Sequence, residues 1–543
     1  MLRLKLFISI KIIILISFSK YKVNCIKCKV DKLKINPGIL DFSENVPKRR
    51  MDTESDNEED NHIKIFINKC NFKNPATGMD QSIYNKINDL LNETITAVQQ
   101  LLKIEHEDIS TINAQETIKQ RCNLDIVENY EKMLIENDIV IFPSFKDDLD
   151  DDVLSVGKFC LITKKSRPCG GVLYINPNIN FEKENSDLYF KYVLLHEITH
   201  ILLFDPKILD LLGMIKYEEE DDVLKAYIIS EKVVQKAQEH FNCSSIEGVP
   251  LEDYTGEETV GYHWNSRAML GDYMISMDYI DTVISDITLA LFEDSGFYQV
   301  EYYSGGLFKF GKNKGCDFLV SNCIFNGSLL FDDFCVTPGQ SICTQSRTIK
   351  GRCKIYDYKK NITNKYQYFM KSNYGGLEIL NYCPISDVDD ITTENNYFPT
   401  SCSKGESTFS NDYGEIIGDN SFCFNSSLKP SSYNGEINWE AICYKVECND
   451  DNKEIKITIG EGNVVNCPEE GGEFELVGFN GKVKCPEYNN LCNIENKANI
   501  CNELFECINK KVKGEEISYD YNIKFKSSFY INLIILFIYV FLR

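Results

Sequence analysis

Histidine is scarce in this chain, at six residues in 543. Positive charge is scarce too: 58 lysines and arginines stand against 82 acidic residues, a formal charge of -24. That balance argues against a nucleic-acid partner, because phosphate binding needs clustered lysine and arginine. It reads as a self-repelling, solvated surface instead. A long apolar run is also lacking. The stretch 529–543 is apolar apart from Asn532 and the final arginine, yet fifteen helical residues span only about 22 Å, short of the ~30 Å hydrocarbon core. Residues 513–543 are therefore expected to be a C-terminal anchor signal exchanged for a glycolipid, or else a tilted membrane segment.

Cysteine is plentiful. The 22 cysteines are too many for a reducing compartment and grow denser after Cys316, which predicts disulfides in a secreted or surface protein. Arg3 and Lys5 precede the apolar stretch from Leu6 to Phe18, the pattern of a secretory signal, here placed at 1–24. Five N-x-S/T sequons, at Asn92, Asn242, Asn326, Asn361 and Asn425, permit glycans on the same route. Residues 25–62 read as propeptide and acidic linker: Cys25 and Cys28, then Lys48-Arg49-Arg50, then the acidic run from Asp52 to Asp60. Cys25 or Cys28 either offers a thiolate to a metal until cleavage or joins the disulfide framework.

Three of the six histidines carry the chemistry. The apolar run from Tyr192 to Phe204 holds His196, Glu197 and His200 as H-E-x-x-H. Positions four apart share a helix face, so both imidazoles project together with Glu197 about 100° round the helix. A helix this apolar is buried, and burying two imidazoles and a carboxylate without partners costs several kcal/mol. Either hydrogen bonds satisfy two core histidines, or a divalent zinc ion takes their nitrogens and leaves a position for water beside the glutamate. Of the remaining histidines, His263 stands in Gly-Tyr-His-Trp-Asn-Ser-Arg, eleven residues before Met274. His240 ends a polar helix and reads as surface or cap.

The H-E-x-x-H helix, the His263-Trp264 pair and the Asp272-Tyr273-Met274 turn together resemble the leishmanolysin family of zinc metallopeptidases, a branch of the metzincins. So do Arg167-Pro168-Cys169-Gly170-Gly171, Gly248-Val249-Pro250-Leu251-Glu252 and Gly315-Cys316-Asp317-Phe318, over roughly residues 65 to 510. The resemblance implies an α+β protein: a zincin-like (metzincin) catalytic domain with an inserted central region at 63–325, then a disulfide-rich, mainly β C-terminal domain at 326–512. It implies Zn2+ held by His196, His200 and His263, Glu197 as catalytic base, Met274 beneath the metal, and polypeptide substrates. Three positions depart from the family pattern. Leu203 replaces a glycine after the second histidine, Asn265 a glutamate, and Asp272-Tyr273 a Glu-Leu pair. These departures, with the large cysteine-rich region, motivate the rival reading of a zinc-retaining but catalytically weak surface adhesion or binding protein. A surface antigen without metal is a third reading.

Local pattern predicts a core helix from Ile83 to Leu102, and strands at Ile139 to Phe142, Phe159 to Thr163 and Val172 to Asn176. In the family resembled, the strand before the H-E-x-x-H helix borders the cleft, which implies that the backbone of Gly171 to Leu173 could accept an extended peptide by strand addition; the plainer and preferred reading of these residues is an ordinary sheet strand. Pro206 is expected to close the H-E-x-x-H helix, and Glu218 to His240 to form one helix after an acidic opening. A further helix is placed from Asp281 to Glu293, and a strand from Ile455 to Ile459.

Overall fold

The computed structural model describes residues 61–492, apart from short internal stretches, together with the backbone of 38–39. The signal, most of the propeptide and the C-terminal segment 513–543 lie outside the described residues. The architecture mixes helix and sheet, and a disulfide-rich region follows.

The first layer is a five-stranded sheet built from β1 (Gly38–Ile39), β2 (Ile65–Ile67), β3 (Ile139–Phe145), β4 (Ser155–Ile162) and β5 (Pro168–Ile175). Its order is β1-β4-β5-β3-β2, with β4 antiparallel to β5 and the other pairs parallel. Every residue of β4 and β5 is buried, so these strands read as continuous apolar runs rather than alternating ones. One expectation is corrected by this order. Gly171 to Leu173 lie in β5, whose two edges are both hydrogen-bonded, to β4 and β3, so no peptide can add there. On its other side β4 is paired by β1 only at Leu161 and Ile162, so its stretch from Ser155 to Cys160, nearer the histidine helix, has one side without a strand among the described residues.

Helix α1 (Gln81–Leu101) opens on Asp80, whose carboxylate accepts from Ser82 N at 2.7 Å, and buries Ile87, Leu91, Ile95 and Val98 on one stripe. It packs on α2 (Ser186–Leu202), the H-E-x-x-H helix, which lies against β4. Pro206 does not close α2. Asp205 caps a new short helix, α3 (Pro206–Leu211), by accepting from Lys207 N at 2.9 Å, and Pro206 takes the first helical position, where a missing N–H costs nothing.

The segment expected as one helix divides in two. Strands β6 (Ile215–Glu220) and β7 (Val223–Ile228) form an antiparallel hairpin, and β8 (Val249–Pro250) adds to β7. Only Glu231–Phe241 is helical, as α4. The physical reason is the pairing: Val223, Leu224, Tyr227 and Ile228 suit a pleated surface, and the preceding Ile215 to Glu220 supplies the partner that helix periodicity ignores. After a four-residue turn of helix, α5 (Ser266–Met269), comes α6 (Asp286–Asp294), with Ser285 as its cap and Gly296 in the left-handed region beyond it.

Sixteen of the 22 cysteines pair in eight disulfides among the described residues, and six of those bonds join cysteines beyond Cys316. A small hairpin, β9 (Ile324–Phe325) and β10 (Ser328–Leu329), follows Cys323. The main apolar core runs from Ile63 through Ile385, and a second core begins at Phe424. That second core sits on a six-stranded antiparallel sheet of β11 (Ser421–Ser426), β12 (Glu440–Asn449), β13 (Glu454–Ile459), β14 (Asn463–Cys467), β15 (Gly472–Phe474) and β16 (Val483–Cys485). Among the described residues, no helix is long and apolar enough to cross a membrane.

Candidate metal centre

Helix α2 delivers His196 and His200 one turn apart, both buried. His263 arrives from a different part of the chain. Its loop is pinned on both sides: Glu252 N donates to His263 O at 2.8 Å, and Trp264 N donates to Met274 O at 3.0 Å. The ring centroids form a nearly equilateral triangle, with separations of 4.7 Å for His196–His200, 5.2 Å for His196–His263 and 5.1 Å for His200–His263. One nitrogen from each ring lies within 4.8 Å of the others.

Main-chain carbonyls decide which nitrogens face inward. His196 Nδ1 donates to Tyr273 O at 2.7 Å, and His200 Nδ1 donates to Phe204 O at 2.6 Å. Each proton is thereby committed, so both Nε2 atoms carry lone pairs, 3.0 Å apart. Two lone pairs facing one another do not make a hydrogen bond. His263 Nε2 is buried and has no partner at all. Burial lowers the pKa of His196 to about 4, and burial followed by the neighbouring imidazoles holds His200 and His263 well below the ordinary value. The three rings are therefore neutral, the form a metal takes. Tetrahedral zinc with bonds of ~2.0 to 2.1 Å separates its ligand atoms by roughly 3.3 Å, so this donor set fits zinc in both kind and spacing.

Glu197 is fully buried beside the triangle. Its Oε2 accepts from Gly157 N on β4 at 2.6 Å. A Cβ at Gly157 would lie 2.1 Å from the main-chain oxygen of Glu197, so only glycine lets the strand come this close to the helix. Sequence reasoning missed Gly157; nothing local marks it, because its partner is forty residues away.

The departures from the family pattern have local explanations. Leu203 is wholly buried in the core, and its backbone is not left-handed, because the chain turns through Asp205 into α3 rather than directly toward His263. Asn265 caps α5, accepting from Ala268 N at 3.2 Å. Asp272 ties the turn together: Oδ1 accepts from Met274 N at 2.8 Å, while Oδ2 accepts from Thr288 Oγ1 at 2.7 Å, whose oxygen in turn accepts from Trp264 Nε1 at 2.7 Å. Tyr273 adds a hydroxyl contact to Thr199 at 2.9 Å on the α2 helix. Met274 is buried within this turn. His240 stands apart from the triangle: Phe310 O accepts from its Nε2 at 2.8 Å, and it stacks on Phe308.

A mixed sheet backing an H-E-x-x-H helix, with a third histidine brought in by a distant loop, makes a three-imidazole centre able to hold a metal ion. The chain belongs to the leishmanolysin family, whose model matches residues 62–499. It is similar to a leishmanolysin homologue of Crithidia fasciculata, at 27% identity over 361 residues covering 63% of this chain and 53% of that protein. A leishmanolysin of Leishmania amazonensis is 26% identical over 359 residues, 63% of this chain and 58% of its own length. A leishmanolysin-like peptidase of Caenorhabditis briggsae is 29% identical over 252 residues, 41% and 38% of the two chains. The chain thus spans between about two fifths and three fifths of these relatives.

Proposed function

We propose that this protein is a secreted or cell-surface zinc metalloendopeptidase of the metzincin class, with His196, His200 and His263 holding the ion. The observation that carries this reading is the convergence of three neutral, inward-facing imidazoles beside a carboxylate fixed by the Gly157 amide. A bound zinc would polarise a scissile carbonyl and lower the pKa of an attacking water, so no serine or cysteine nucleophile is required.

The chain's own residues supply the rest. Glu197 accepts the proton of the attacking water and later returns it to the departing amide nitrogen. Its Oε2 is held by Gly157 N–H, which keeps the carboxylate from swinging away between the two transfers. The Tyr273 and Phe204 carbonyls orient the rings of His196 and His200, and Met274 forms the floor of the site. The substrate is an extended polypeptide lying along the β4 edge, next to Glu197. Export and attachment to a membrane through residues 513–543 complete the reading, and the eight disulfides fit an extracellular protein.

The rival reading, a zinc-retaining binding protein, rests on Leu203 and Asn265. Both have structural roles that leave the three imidazoles and Glu197 in place. Peptide cleavage by the purified mature protein, with and without a zinc chelator and with Glu197→Ala as control, separates the two. Chelator-sensitive cleavage above the control supports the peptidase; its absence favours the binding protein.

A further inference from the structure

The hairpin β9–β10 exposes apolar surface that the fold does not explain. Phe325 is 62% exposed and Leu330 46%, and Val320 just before the hairpin is 82% exposed. The register pairs Phe325 with Ser328, and Leu330 N donates to Cys323 O, so Phe325, Ser328 and Leu330 share one face. Soluble surfaces rarely leave such residues clustered without a cover.

At the tip of this hairpin stands a sequon, Asn326-Gly327-Ser328, with all three residues exposed. Asn326 and Gly327 both have positive φ, 49° and 77°, the two left-handed positions of a tight hairpin turn. The base is fixed by the Cys323–Cys383 disulfide. We propose that Asn326 carries an N-linked oligosaccharide whose first sugars lie over Phe325 and Leu330. The inference rests on the exported location proposed above. Asn326 Nδ2 forms a bond to C1 of an oligosaccharide carried on a lipid diphosphate; the C1–O bond breaks, the diphosphate leaves with the electron pair, and the displaced amide proton passes to a base of the transferase. The sugar's C–H face then covers the aromatic ring while its hydroxyls meet water.

The same structure sets Asn425 apart. It lies within β11, between β12 and β16, and its side-chain oxygen accepts from Cys343 N at 3.0 Å. With its side-chain oxygen engaged by Cys343 N and its backbone paired on both sides, Asn425 is far less open to a transferase than Asn326.

The test is expression of the full chain in a eukaryotic secretory host, followed by glycopeptide mass spectrometry before and after an amidase that converts glycosylated asparagine to aspartate. The expected result is occupancy at Asn326 and none at Asn425, with Ser328→Ala losing the mass of one oligosaccharide and Ser328→Thr retaining it. Export with other sequons occupied and Asn326 bare overturns the proposal alone. Retention in the cytosol with every sequon bare overturns the exported location, and the proposal with it.

Discussion

At the scale of single residues, the centre depends on which atoms are left without partners. His263 Nε2 has none, and His196 and His200 have spent their Nδ1 protons on carbonyls. If the three histidines hold zinc as proposed, removing one costs metal before it costs fold: His263→Ala is expected to lose stoichiometric zinc on dialysis, read by elemental analysis, while keeping its far-ultraviolet dichroism. Glu197→Ala separates the other role. On the proposed mechanism it is expected to keep zinc and to lose cleavage by roughly 100-fold to 10,000-fold, the range for a positioned acid–base group. Gly157 is the residue the sequence concealed. Gly157→Ala would force its new methyl against Glu197 O, 2.1 Å away, so both melting temperature and turnover are expected to fall. An unchanged turnover would show that the Gly157 amide does not hold the base. The H-E-x-x-H spacing was legible because helix geometry alone puts His196 and His200 on one face. Gly157 was not, because its contact is set by how closely a strand packs on a helix.

At the scale of elements, the question is what brings His263 to the α2 helix across more than sixty residues. The buried chain Trp264 Nε1 to Thr288 Oγ1 to Asp272 Oδ2 answers it, joining the histidine loop, the start of α6 and the methionine turn. Thr288→Val leaves the Trp264 indole N–H without its acceptor and removes one of two donors to Asp272 Oδ2, which keeps Ser285 N at 3.1 Å. It is expected to destabilise by about 1–3 kcal/mol in urea unfolding and to weaken zinc affinity, since the loop carrying His263 is then less firmly placed. Unaltered zinc affinity alongside lost stability would mean that His263 is held by its backbone bonds alone. The elements themselves were partly legible. The periodicity of α1 and the apolar runs of β3, β4 and β5 appear in the sequence. The β6–β7 hairpin did not, because a segment with residues at helical spacing was captured by a neighbouring strand, and pairing overrides local preference.

At the scale of the whole molecule, the cysteine-rich region is packed onto the core that carries the histidine triangle rather than hung from it. Tyr279 OH donates to Ser386 O, and Gly311 N donates to Asp333 Oδ1 at 2.9 Å. Asp333 borders a cavity of about 30 Å³ with Arg347, Thr344, Ser386 and Asn425, and its Oδ2 has no partner. Burial, then the neighbouring Asp332, raises its pKa to about 6. An acid whose folded pKa lies above its unfolded value of about 3.9 holds its proton longer in the native state, so stability declines as pH rises from about 4 to about 6 and then levels. Asp333→Asn keeps an acceptor for Gly311 N and removes the buried charge. It is expected to raise the melting temperature at pH 7 and to flatten that part of the stability curve; a variant no more stable than the parent at pH 7 would count against a buried, costly carboxylate. The sequence by itself determined the paired histidines and their glutamate, the disulfide bonding expected from the cysteines, and most of the core segments, because helix period, thiol chemistry and apolar patterning are local or compositional. Tertiary structure alone decided that His263 meets the other two, that a glycine amide holds Glu197, and that the start of β4 rather than β5 has an open side, because each depends on the distance between segments far apart in the chain.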